Sequence, residues 1–369
     1  MKTGALPAIV REEWLLGVSI ATGGAFLEFG DVLLAEPQAP LRLTVVFLWL
    51  FAVMLGSALA VVRHAERLAE RLGEPYGTLI LTLSVTFIEV VSISAVMLHG
   101  ENNPTLARDT LFAVVMIILN GMVGVSLLVG GWRHREQHYN LQGANTYLSV
   151  IIPLAVLSLI LPDYTTTTAG PTLSFLQEMF LVLMSVGLYC AFLAIQTGRH
   201  RAYFIAEEEK ADPPAPQSPS SPLLSAILLA AYMAPVVFLA EQLAQPIDYL
   251  LETLRAPAAL GGVVIAVLVA TPEALGAVRA ATANHLQRSI NIFLGSVLST
   301  IGLTVPAMIA ISHLTGHSIS LGLQNADFVM LLLTLAVSVV TFASGRTNVL
   351  QGAVHLLLFA AYLLLIFQG

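Results

Sequence analysis

The chain has 369 residues, is 57% hydrophobic and only 11% charged, and carries a formal net charge of -7. An average soluble domain is about 45 to 50% apolar and about 25% charged, so water cannot hold this surface, and the acidic balance adds no nucleic-acid reading. Apolar runs of roughly 18 to 25 residues recur along the sequence, each long enough to cross about 30 Å of hydrocarbon and too continuous for barrel strands. Backbone groups in lipid must bond within their own segment, which leaves an all-α polytopic membrane protein.

In chain order, the opening MKTGALPAIVREEW is too polar, and the run after it too long, for a cleaved signal peptide, so the first span (14–35) is expected to be retained. Its acids Glu28 and Asp31 fall toward the outer end, where hydration makes them cheap. Spans follow at 43–62, 78–98, 110–131, 144–161 and 175–196, the last holding the single cysteine, Cys190. The segment 198–222 is polar, rich in proline and serine, and reads as a linker. Beyond it come 223–240, 260–280, 290–312, 328–343 and 349–367, which makes about 11 transmembrane helices. The expected organisation is an N-terminal helix over 1–40, a first half over 41–197, the linker over 198–222 and a second half over 223–369.

Short loops rich in Lys and Arg stay in the cytoplasm. With the amino terminus inside and the carboxyl terminus outside, 13 of the 16 basic residues fall on cytoplasmic loops, leaving Arg42, Arg108 and Arg255 opposite. A missed span would reverse every later loop, so the sustained bias supports both count and direction. The expected location is the plasma membrane, the inner membrane of a bacterium. Glu207, Glu208, Glu209 and Asp212 then form a cytoplasmic acidic cluster, a solvated stretch or a cation-gathering regulatory one.

Two spans share a plan. GTLILTLSVTFIEVVSISAVM from Gly77 lies over GGVVIAVLVATPEALGAVRAA from Gly261 without a gap, placing Glu89 on Glu273 at an offset of 184. An acid at mid-membrane costs about 2.5 to 3.5 kcal/mol on insertion scales derived for Asp, and helix packing has no need of one. Further on, NGMVGVSLLVGG from Asn120 lies over NIFLGSVLSTIG from Asn291 at an offset of 171; the 13 extra residues of the first half fall in the loop HGENNPTLARDT. The third span enters from the cytoplasm and the eighth from outside, so the repeat is inverted, the pattern in which transporters place a site near the midplane.

The stretch VATPEALGAVRAATANHLQRSINIFLGSVLSTIGLTVP, with PYGTLILTLSVTFIEV in the first half, resembles the two α-repeats of the calcium/cation antiporter superfamily, closely its ChaA-type calcium/proton antiporter branch. The resemblance implies ten helices in two inverted five-helix halves after one extra helix, and exchange of a cytoplasmic cation for external protons. It makes Glu89 and Glu273 shared ligands, with Asn291, Ser296 and Thr300 on the following polar helix and, more weakly, Asn120 and Ser126. The sequence departs from the family where Val125 and Val129 stand opposite Ser296 and Thr300, and its surroundings of the acids are poorer in side-chain oxygens.

Calcium takes six to eight oxygens at about 2.3 to 2.6 Å, and two glutamates supply at most four. Pro272 has no amide hydrogen, which frees the carbonyl of Leu268 near Glu273. Thr86 lies one turn before Glu89 on the same face and offers a hydroxyl, with Asn291, Ser296 and water to complete the shell. Two empty carboxylates repel in a low-dielectric cavity, and one divalent cation or two protons cancel both charges. The loaded forms can then change sides while the empty form resists, which enforces exchange without any cofactor. A sodium or potassium ion with one proton satisfies the same balance. Two other classes stand beside this reading. A cation channel would conduct without proton coupling. An intramembrane acid-base enzyme would use the acids chemically, but the sequence has no Gly-x-Gly-Asp and no His-Glu-x-x-His.

Overall fold

Long apolar runs with polar residues gathered at their ends give helices almost throughout. The computed structural model describes residues 11–34, 40–73, 76–98, 103–205 and 221–368. The helices are α1 (Trp14–Leu34), α2 (Pro40–Leu72), α3 (Tyr76–Met97), α4 (Leu106–Met116), α5 (Val123–His134), α6 (Leu141–Ala155), α7 (Phe175–Ala194), α8 (Pro222–Leu254), α9 (Ala259–Thr282), α10 (Leu286–Ser299), α11 (Val305–Thr315), α12 (Asn325–Thr341) and α13 (Val349–Gln368). π-helical turns at Ile117–Met122 and Thr300–Thr304 join α4 to α5 and α10 to α11 into continuous spans. Among the described residues nine helices are long and apolar enough to cross a membrane; Trp14–Gly30 and Asn325–Thr341 are apolar but shorter. The chain is an integral membrane protein.

Two helices outrun the spans expected for them. α2 continues to Leu72 rather than ending near 62, and α8 to Leu254 rather than near 240. The hydrophobic limit of a bilayer ends an apolar run, not a helix. After Val62 the sequence RHAERLAERL keeps good helix formers until Gly73, which leaves the helix at φ +66. α8 carries Pro235 and Pro246 inside it, begins with Ser221 accepting the Leu224 amide at 3.1 Å, and ends at left-handed Arg255.

Packing divides the chain into two units, residues 1–100 with 217–256, and 101–216 with 257–369. In the first, α2 packs chiefly on α8 and α3, with α1 against both α2 and α8. Ser19 meets Ser57 at 2.7 Å, and Trp49 Nε1 donates to Thr22 Oγ1 at 3.2 Å. The start of α1 is fastened by buried Glu13, whose carboxylate accepts from Arg63 at 2.6 Å and Tyr232 at 2.9 Å and lies 3.3 Å from His64 Nε2. Glu12 accepts from Arg67 at 2.6 Å, and that hydrogen bond holds its pKa below the ordinary 4.5.

In the second unit α4 packs on α9 and α5 on α13. A methyl added at Gly352 would stand 2.5 Å from the Leu128 amide nitrogen, and one at Gly124 would stand 2.8 Å from Leu356, so both helices need glycine where they meet. A two-residue antiparallel ladder pairs β1 (Gln137–His138) with β2 (Arg346–Thr347), Gln137 opposite Thr347. Beside it Tyr139 is buried, which pushes its phenol up to about 12 and keeps it neutral.

The loops of this unit fall into two groups. Gln137 Nε2 donates to Ala281 O at 2.8 Å and Asn140 N to Gln287 Oε1 at 2.7 Å, joining the 134–140 and 281–287 loops to the ladder. Separately, Ser320 N donates to Pro104 O, Leu323 N to Leu159 O, and Arg108 to Gly322 O at 3.0 Å. The first group holds loops expected on the cytoplasmic side, the second loops expected outside.

Candidate functional site

Glu89 lies in the middle of α3, in the first unit, with 3% of its surface exposed. Thr86 is one turn before it and Ser92 one turn after, both buried, so the three form a polar line along one face of an otherwise apolar helix. Neither the Thr86 nor the Ser92 hydroxyl hydrogen-bonds to any described group. A buried hydroxyl in that condition is costly, and such exceptions call for a reason. Ser92 was not among the residues expected from sequence, although its spacing of three from Glu89 mirrors that of Thr86.

Glu273 lies in α9 in the second unit, half-buried, and accepts a hydrogen bond from the Ser296 hydroxyl of α10. The sequence offered Ser296 as an oxygen to complete a cation shell, and its hydroxyl is spent here on the Glu273 carboxylate. Pro272 sits inside α9 and cannot donate to the carbonyl of buried Leu268, one turn back. Thr300 is buried where the π-helical turn begins, four residues beyond Ser296. Ser126, the more weakly expected ligand of the first repeat, is fully buried with its hydroxyl lacking a partner among described residues.

The two asparagines are placed differently. Asn291 donates through Nδ2 to Phe204 O at 2.6 Å and accepts on Oδ1 from Gln287 at 2.9 Å. Asn120 donates to Thr334 Oγ1 at 2.8 Å, and its Oδ1 lies 3.3 Å from His355 Nδ1. Glu207, Glu208, Glu209 and Asp212 lie outside the described residues. Among the described residues no three His, Cys, Asp or Glu side chains gather as a metal cage. A hard cation held by either acid therefore draws on hydroxyl, carbonyl and water oxygens as well.

Over residues 42–198 and 224–368 the chain matches the family described as sodium/calcium exchanger protein. The chain belongs to the sodium/calcium exchanger family. Residues 199–223, between the two matched stretches of this exchanger family, take in most of the polar segment. One family relative, the putative ionic transporter y4hA of Sinorhizobium fredii, is 45% identical over 342 residues, 91% of this chain and 93% of that protein. The sodium-potassium/proton antiporter ChaA of Escherichia coli is 42% identical over 349 residues, 89% of this chain and 94% of that one. A crystal structure of the Ca2+/H+ antiporter protein YfkE shares the fold at a TM-score of 0.74 and 19% identity, covering 96% of this chain and 99% of that one.

Proposed function

We propose that this exchanger-family chain is a secondary active cation/proton antiporter that exports calcium from the cytoplasm, its site built on Glu89 and Glu273. What carries the reading is that the two acids at repeat-equivalent positions are each attended by hydroxyls on their own or the next helix: Thr86 and Ser92 for Glu89, Ser296 for Glu273. The Leu268 carbonyl and Thr300 add further oxygens on the Glu273 side. One divalent ion or two protons leave such a pair neutral, whereas the empty pair carries two charges into a medium that penalises them. Binding of either ligand thus licenses the passage that the empty form resists.

Calcium fits by charge balance, and the solved relative named a Ca2+/H+ antiporter supports it. A second reading, sodium or potassium with one proton, is favoured by the 42% identical relative named a sodium-potassium/proton antiporter. In either case the protein resides in the plasma membrane with its amino terminus and its 134–140 and 281–287 loops cytoplasmic.

Everted vesicles with an acidified lumen test this. Calcium added to the wild type should discharge the proton gradient, and Glu89→Gln and Glu273→Gln should each lower that rate by at least about a hundredfold, as expected when a charged ligand worth about 3 kcal/mol is lost. Retention of exchange by either variant would remove the paired-acid mechanism. Sodium and potassium in parallel assays decide between the two cargoes, and current without proton movement would mark a channel.

A further inference from the structure

We infer that Asn120 and Asn291, matched by the internal repeat, are positioning residues rather than cation ligands; this rests on the site proposed above and narrows it. Each side-chain amide is occupied at both ends by groups of the same unit. Asn120 is fully buried; its Nδ2 donates to Thr334 of α12, and its Oδ1 accepts from His355 of α13. That bond puts the proton on His355 Nδ1, leaving Nε2 to accept from the Thr341 hydroxyl at 2.9 Å. Asn291 donates to the Phe204 carbonyl and accepts from Gln287, which in turn accepts the Asn140 amide.

An amide oxygen has a second lone pair, but an N–H directed at it brings positive charge to where a cation would sit. Ligation would require the donor to leave and would strand a buried imidazole or amide. The partners also show what the asparagines do. Asn120 ties the π-helical turn before α5 to α12 and α13. Asn291 seats the turn after α7 on α10, where the Phe204 ring packs on Tyr147 and Phe192 at centroid distances of 5.6 Å each. Five residues beyond Asn291 on the same helix stands Ser296, the donor to Glu273.

The test measures the calcium KM, turnover and detergent melting temperature of Asn120→Ala, Asn291→Ala, Gln287→Ala and His355→Ala, with Ser296→Ala as comparator. The last two of the four leave the asparagines intact and remove the competing donor together with that side chain's own acceptor contact, to Asn140 N or Thr341, so they carry the test if an asparagine variant fails to accumulate. A positioning role predicts lower melting temperature and turnover in all four with KM within about twofold of wild type, while Ser296→Ala raises KM. Asn291→Asp should behave like the alanine variant, because a carboxylate oxygen opposes the Phe204 carbonyl. A tenfold fall in KM on Asn→Asp, Gln287→Ala or His355→Ala, or a tenfold rise on Asn→Ala without a change in melting, would overturn the inference. Exchange surviving in Glu273→Gln sinks the proposed site instead and leaves the asparagine KM values to be read on their own.

Discussion

Thr86 and Ser92 bracket Glu89 with hydroxyls that no described group satisfies. A buried hydroxyl without a partner costs about 1 to 3 kcal/mol, so an apolar isostere relieves the fold of that cost. Thr86→Val and Ser92→Ala should therefore melt at or above the wild-type temperature and yet raise the KM for the driving cation severalfold. Lower melting with unchanged KM would mean the hydroxyls serve the fold. Ser296→Ala removes a hydroxyl oxygen offered to the cation beside Glu273 and should raise KM severalfold, whereas a fall in KM would mean that the hydroxyl only competes with the cation for the carboxylate. Much of this was legible in the sequence: an acid in lipid is conspicuous, and Thr86 follows from helical spacing. Ser92 answers to the same rule but stood among other small residues, SIS, that signal nothing special. The partners of the asparagines were not legible at all. Phe204, Thr334 and His355 reach them from 87, 214 and 235 positions away, and no local pattern encodes such pairings.

At the scale of helices, charge decides how the first one is attached. Glu12 and Glu13 hold the entry of α1 to Arg63 and Arg67 on α2, and Glu13 also receives Tyr232 of α8. The folded pKa of Glu12 is depressed, so its contribution is present above the ordinary value of 4.5 and is lost as pH falls through the lower, folded value. The group is largely exposed, so the effect is small and screened by salt. Melting curves in detergent should show a decline between pH 5 and 3 that is shallower in Glu12→Gln and in high salt; an identical slope in the variant would remove Glu12 from the account. The extended lengths of α2 and α8 belong to this scale too. Hydropathy located where their apolar stretches end, whereas where the helices end is set by the next residue that breaks the backbone pattern, Gly73 and Arg255.

Across the whole molecule, the distribution of Lys and Arg gives an expectation of which loops share a side, and among the described residues of the second unit the hydrogen bonds between loops join members of the same expected side. Sixteen basic residues carry that much information because each added span inverts everything after it. The partition into two packing units was not legible, since each draws helices from both sides of the polar segment and depends on contacts such as α2 with α8 that lie far apart in sequence. A Cys190→Ala background allows the sidedness to be measured. Single cysteines at Arg135, Ser344 or Asn284 should resist an impermeant maleimide in intact cells and react in everted vesicles. Cysteines at Thr167 or Thr315 should do the reverse, and a mixed pattern within either set would refute the assignment.

The glycine contact between α5 and α13 bears on how such a carrier can move. With Gly352 against the Leu128 backbone and Gly124 against the Leu356 side chain and amide, the two helices pack in close contact, and a sliding or rotating motion at either glycine would drive them into a clash. A stroke that preserves this contact would carry the pair together as one strut. A covalent tether placed across it should therefore leave transport running, and the bending has to be sought elsewhere in the chain.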